Sequence, residues 1–190
     1  MLKLLAGLIA FHGIHLLPVF QAQRARFKEA VGNIGYQVVF AVLSFAGLYL
    51  MAKGYGELRG LPRQNPTLYT PPAFLKHIAY LLMLPAFILM AAAYIPSRIR
   101  TAAKHPMLAS IKLWALAHLL VRGDLASVLL FGSFLAYGVI DRISVKKRGA
   151  MGPLGDRTGN GDAIVLALGI GAYLLMFFWG HAYLIGIPVR

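Results

Sequence analysis

Imidazole is the side chain in this sequence best placed to do chemistry in an apolar setting. His12 and His15 stand at i, i+3 in Phe11-His12-Gly13-Ile14-His15, so a helix puts both on one face. Trp114 and His118 stand at i, i+4 in a second apolar stretch, which sets an aromatic wall beside an imidazole. That stretch opens at Lys104-His105-Pro106, where the proline reads as a helix entry because its missing N–H would be unpaired there anyway. His105 lies ~20 Å of helix from His118, so one metal centre cannot use both. His77 lies one turn into a third apolar run, near the headgroup level, and His181 sits close to the end of the last.

The other reactive groups are excluded by type or by place. There is no cysteine, which removes disulfides, thiolate ligands and cysteine nucleophiles together. All six carboxylates, Glu29, Glu57, Asp124, Asp141, Asp156 and Asp162, fall in connections or at span ends. A carboxylate-bridged metal pair and an acid relay through the membrane both need them inside. The candidates are therefore His12, His15, His118 and His181. Imidazoles on different helices with aromatic neighbours suit a bis-histidine haem, whose axial ligands approach iron from opposite faces. Hydrogen bonding between helices is the plainer use of the same residues.

The elements that must position these histidines are membrane spans. Hydrophobic residues make up 59% of the 190 and charged residues 13%, against about 25% charged in a soluble domain. Apolar runs long enough for the ~30 Å hydrocarbon core recur along the chain, at about residues 4–20, 34–52, 73–94, 104–121, 125–143 and 163–187. The expected fold is an all-α, polytopic integral membrane bundle of six transmembrane helices, forming a single domain over residues 1–190. The turn Arg122-Gly123-Asp124 makes the fourth and fifth spans a tight helical hairpin. The fourth is short enough to be re-entrant, though its length near eighteen residues favours crossing. Pro85 should bend the third.

Small residues offer packing faces, Gly35, Ser44, Ala46 and Gly47 on the second span and Gly132, Ser133 and Gly138 on the fifth. Residues 53–72 carry Gly54, Gly56, Gly60, Pro62, Pro66 and Pro71-Pro72 and read as an ordered loop. A second glycine-rich connection, 142–162, holds Lys146-Lys147-Arg148 and then Gly149, Gly152, Pro153, Gly155, Gly159 and Gly161, with no phosphate cradle leading into a helix. Trp179, His181 and Tyr183 suit an interfacial belt.

The net charge of +13 sits between the apolar runs. Basic loops flanking spans orient a membrane protein and hold it against anionic lipid, so the bilayer is the partner and nucleic acid is not. The first, third and fifth connections carry the heavier basic load, which with six crossings puts both termini outside. The first apolar run lacks a small-residue cleavage site and holds two histidines, so it reads as a retained span.

Lys104-His105-Pro106, Lys112-Leu-Trp114-Ala-Leu-Ala117-His118-Leu-Leu120, Gly123-Asp124-Leu-Ala-Ser127 and Leu130-Phe131-Gly132 together resemble the NnrU family of bacterial membrane proteins. That family is similar to the plant isomerase that converts a 15-cis-ζ-carotene. The likeness continues in Gly13-Ile14-His15, Leu43-Ser44-Phe45-Ala46-Gly47, Gly54-Tyr55-Gly56, Pro71-Pro72 with His77, and Ala93-Tyr94-Ile95-Pro96-Ser97-Arg98. The resemblance implies a six-span haem b protein of the bacterial inner membrane, with His15 and His118 as iron ligands. His77 and His105 match further histidines of the isomerase, and His12 and Trp114 join the expected cofactor surroundings.

The implied chemistry is redox-gated cis–trans isomerisation of a polyene, a hydrophobic small molecule. The role attached to bacterial members is a haem-linked part in nitrite and nitric oxide metabolism, hence denitrification. Ala115 stands where the isomerase has a cysteine, so no thiolate exchange is available. The alternative reading is a membrane-embedded S-adenosylmethionine-dependent methyltransferase of lipid or isoprenylcysteine type, whose cofactor entry also begins basic-His-Pro; it would use His105 and Arg122.

Overall fold

Every long apolar run is helical, which lets a backbone without water pair its own N–H and C=O groups. The computed structural model of the chain describes residues 1–150, 152 and 159–189. Its helices are α1 (Leu2–Leu16), α2 (Gln21–Leu58), α3 (Leu75–Tyr94), α4 (Arg98–Ala103), α5 (Pro106–Leu119), α6 (Leu125–Lys147), α7 (Gly161–Leu175) and α8 (His181–Ile185). A 3-10 turn, Leu17–Val19, follows α1, and a π-helical turn, Met176–Gly180, joins α7 to α8. Of the loop residues singled out in the sequence, Pro153, Gly155 and Asp156 lie outside the described residues.

Five segments are long and apolar enough to cross a membrane: Leu2–Val19, Gln21–Leu58, Leu75–Tyr94, Leu125–Lys147 and Gly161–Ile185. The fourth expected span differs. Lys104 takes a positive φ of 58° just before Pro106, so the helix starts late and α5 has 14 residues. At 1.5 Å per residue it is about 21 Å long, short of the ~30 Å core.

The chain divides into two compact units, Met1–Pro71 with Arg122–Val145, and Pro72–Val121 with Lys146–Arg190. The two arms expected as a hairpin thus fall in different units, α5 in the second and α6 in the first.

In the first unit α1 lies along α2 with backbones touching through glycines. A Cβ on Gly7 would sit 2.6 Å from the Met51 nitrogen, one on Gly47 would sit 2.9 Å from the Phe11 nitrogen, and one on Gly54 would run into the Leu4 backbone. Such close approach is how helices associate where lipid removes the hydrophobic drive. Of the four small residues expected to pack on the second span, Gly47 does so; Ala46 is exposed and the Ser44 hydroxyl donates to the Phe40 carbonyl. Gly54, expected in a loop, belongs to the helix because α2 runs six residues beyond the apolar stretch to Leu58. Toward its start α2 is broken at Gly32, whose φ of 74° suits glycine alone. The break separates a basic stretch, residues 21–31, from the apolar one.

The loop after α2 ties it to α6 through Asp124. The first four backbone donors of α6 are all met: Leu125 N–H by the Pro66 carbonyl, Ala126 N–H by Asn65 Oδ1, Ser127 N–H by Asp124 Oδ1 and Val128 N–H by the Asp124 carbonyl. Asp124 also accepts from Asn65 Nδ2 at 3.0 Å, Ser127 Oγ at 2.8 Å and Arg122 Nε at 3.2 Å. Because the Ser127 hydroxyl proton goes to Asp124, the Tyr55 hydroxyl of α2 donates to Ser127 Oγ at 2.8 Å.

In the second unit α3 packs on α5 and on α7. The Ser110 hydroxyl of α5 donates to the Ala86 carbonyl of α3 at 2.7 Å, one residue from Pro85, and Gly169 lets α7 lie against Ile88. Ser97 caps α4 through its hydroxyl, and Asp162 Oδ1 accepts from Ile99 N–H at the same end.

Gly54→Leu is expected to destabilise the chain by about 1–3 kcal/mol or more through overpacking, read as a fall in Tm in detergent. Gly56→Leu, where a Cβ meets nothing within 4 Å, should leave Tm in place; equal behaviour of the two would contradict the packing. At Asp124 burial pushes the carboxyl up, but hydrogen bonds from Asn65 and Ser127, with Arg122 beside it, outweigh this and hold it below the usual carboxylate range. Its contribution is therefore present above the unfolded pKa of about 3.9 and lost as pH falls through the folded value. Hydrogen-exchange protection of the Leu68 and Tyr69 amides, which donate to the Gly123 carbonyl, should fall over that window. Asp124→Asn should lower it already at neutral pH.

Candidate functional site

His15 ends α1 with its Nδ1 2.8 Å from the Phe11 carbonyl one turn back. A carbonyl only accepts, so the proton of the neutral ring is on Nδ1 and the lone pair is on Nε2. Phe11 stacks on the imidazole at 3.9 Å between ring centres, with Phe40 at 4.7 Å and Tyr137 at 6.1 Å. The ring is thus oriented by its own helix and walled by aromatic faces from α1, α2 and α6.

His12, one turn earlier, is used differently. Its Nε2 lies 3.1 Å from Ser133 Oγ of α6, and the Ser133 hydroxyl proton goes to the Leu130 carbonyl at 2.8 Å. With that proton committed, His12 Nε2 must be the donor, and the lone pair falls on Nδ1, which is buried without a hydrogen-bond partner. His12 therefore makes the interhelical bond that its type allowed, and it presents the opposite tautomer to His15. Ser133, read from sequence as a small packing residue, turns out to decide this; Phe134, 4.7 Å from the His12 ring, and Tyr137 complete the surroundings.

In the second unit His118 repeats the His15 arrangement. Its Nδ1 donates to the Trp114 carbonyl at 2.8 Å, and the Trp114 ring stands 5.2 Å away, the aromatic wall expected of the i, i+4 pair. His181 is brought to the same place, its ring 6.5 Å from that of His118 and 22° from parallel. The His181 Nδ1 donates to the Ile187 carbonyl at 2.6 Å, so its lone pair too is on Nε2. The π-helical turn Met176–Gly180 immediately precedes it, and the wider turn rotates the next side chains about the helix axis. An interfacial belt accounted for His181 by composition; periodicity carried no sign of the turn.

The other two histidines are His77 and His105. His77 is exposed in the first turn of α3, edge-on to Tyr80 at 6.1 Å, as suits an interfacial residue. His105 is the N-cap residue of α5, its carbonyl accepting from Ala109 N–H. Among the described residues no group of three or more His, Asp and Glu could hold a metal ion.

A family model described as NnrU protein matches residues 3–189, nearly the whole length. The chain belongs to the NnrU family. The match runs through both compact units and covers all six histidines. No curated protein and no solved structure matches the chain. In this NnrU family member Arg122, one of the two residues that the methyltransferase reading needs, is held by the Asp124 carboxylate at 3.1 Å.

Proposed function

We propose that this NnrU family member is a multi-pass membrane protein that binds haem b through histidine Nε2 atoms, with His15 and His118 as ligands. One observation carries the reading: both rings donate Nδ1–H to the carbonyl four residues back, at 2.8 Å each. Metal-ligating histidines are commonly held this way, because the outer hydrogen bond fixes the tautomer and raises the basicity of the ligating nitrogen. The donor set also fits haem iron, which accepts imidazole pairs and needs no thiolate or carboxylate.

His12 has its Nε2 spent on Ser133, so only its Nδ1 could serve a ligand role. When bound, haem supplies a redox-active iron, which both roles implied by the family resemblance require, polyene isomerisation and nitrogen-oxide metabolism. The chain's own residues orient the imidazoles and set aromatic rings beside them, Phe11 and Phe40 at His15 and Trp114 at His118.

A second reading draws both ligands from the second unit, His118 with His181, and rests on their near-parallel rings 6.5 Å apart. Absorption spectra of detergent-purified protein from haem-supplied cells separate the two. A Soret band with a bis-imidazole ferric spectrum is expected, and His118→Ala should weaken haem retention at least about tenfold. A similar loss in His15→Ala supports the first reading, and a loss in His181→Ala with His15→Ala intact supports the second. His77→Ala should retain haem, and a colourless wild-type preparation would overturn both.

A further inference from the structure

The basic stretch at the start of α2 has a face that the haem reading does not use. Arg24, Phe27 and Lys28, spaced as i, i+3, i+4, share one face of the helix, and Arg24 and Phe27 on it are half-buried. The Arg24 guanidinium lies 5.7 Å and the Lys28 ammonium 5.1 Å from the centre of the Tyr36 ring, itself buried. Two cations thus converge on one aromatic ring. Among the described residues neither has a carboxylate partner, and Arg24 Nε is buried with nothing to accept its proton. An orphaned buried donor in a native fold is rare and points to an acceptor supplied from elsewhere.

Beside this cationic pair is an apolar groove of about 420 Å³ between α1 and α2, lined by Ile9, Gly13, Leu17, Phe27, Val39 and Leu43. Phe27 belongs to both, since it lines the groove and meets Tyr36 edge-on at 6.1 Å. Gly13 contributes open space, as a Cβ there would touch nothing within 4 Å. The volume is that of a small-ligand site.

We propose that this face is a binding site for one anionic phospholipid, its phosphate held by Arg24 and Lys28 and an acyl chain laid in the groove. The charge selects the headgroup, because guanidinium and ammonium groups at a membrane surface attract anionic lipid while a zwitterionic head brings its own cation. The groove selects a lipid over free phosphate, which has nothing to place in it. The site lies wholly within the first unit and does not depend on haem.

The test is native mass spectrometry of the full chain from mild detergent, with phosphatidylglycerol, phosphatidylcholine or inorganic phosphate added separately. A phosphatidylglycerol adduct should survive where phosphatidylcholine is lost, and millimolar phosphate should not displace it. Arg24→Gln with Lys28→Gln should weaken retention at least about tenfold, and Arg26→Gln should not. Gly13→Leu fills the groove in a position with room for it and should also lose the lipid, with Tm unchanged.

Equal retention of both lipids, or an equal loss in Arg26→Gln, would overturn the site. Displacement by phosphate would make it an ion site and overturn the lipid. A double variant that sheds haem while keeping phosphatidylglycerol would reassign the two cations and overturn it as well.

Discussion

An imidazole placed among transmembrane helices must give its N–H to something, because no water is there to take it. The carbonyl one turn back on the same helix is the acceptor that His15 and His118 use, and the Ile187 carbonyl serves His181. That single bond settles which nitrogen carries the proton and leaves the basic one at the far end of the ring. His12 shows the alternative: a serine on a neighbouring helix has already committed its proton, so the histidine must donate to it. Two histidines three residues apart thereby become chemically different. One donates through Nε2 to a neighbouring helix and the other through Nδ1 to its own.

Close backbone contact and a polar junction hold these rings in place. Gly7, Gly47 and Gly54 bring α1 against α2 without intervening side chains, which sets the depth of His12 and His15 relative to Phe40. Asp124, Asn65 and Ser127 satisfy the start of α6 and join it to α2 through Tyr55, and α6 then carries Ser133, Phe134 and Tyr137 to the α1 histidines. In the second unit α3 plays the central part, taking α5 through Ser110 and α7 through Gly169. Helix ends and side-chain hydroxyls thus do in lipid what water does for a soluble protein.

Much of this is legible in the residues. Apolar run length located the five helices that are long and apolar enough to cross a membrane, the polar turn Arg122-Gly123-Asp124 marked the start of α6, and Pro106 marked the start of α5. The motifs around His118 pointed to the family that the model match then showed. Run length failed where helix and hydrocarbon part company. Lys53, Glu57 and the glycines between them look like loop, yet hydrogen bonding continues to Leu58 because a helix leaving the membrane has no need of apolar side chains. Lys3 and Glu57 pair across the α1–α2 contact there. The fourth segment is shorter as a helix than its apolar run, because α5 begins only at Pro106, after the backbone turn at Lys104, and ends at Leu119. His12 and His15 could not be told apart from spacing, since their difference lies in a proton on Ser133.

The claim on which the functional account turns is the protonation of these rings, and nitrogen-15 NMR of histidine-labelled protein in bilayers, assigned by single His→Gln variants, reads it directly. Before haem is added, His15, His118 and His181 should show a protonated Nδ1 and an unprotonated Nε2, with His12 showing the reverse. A protonated Nε2 on His15 or His118 would leave no lone pair where a ligand needs one, and would contradict the account.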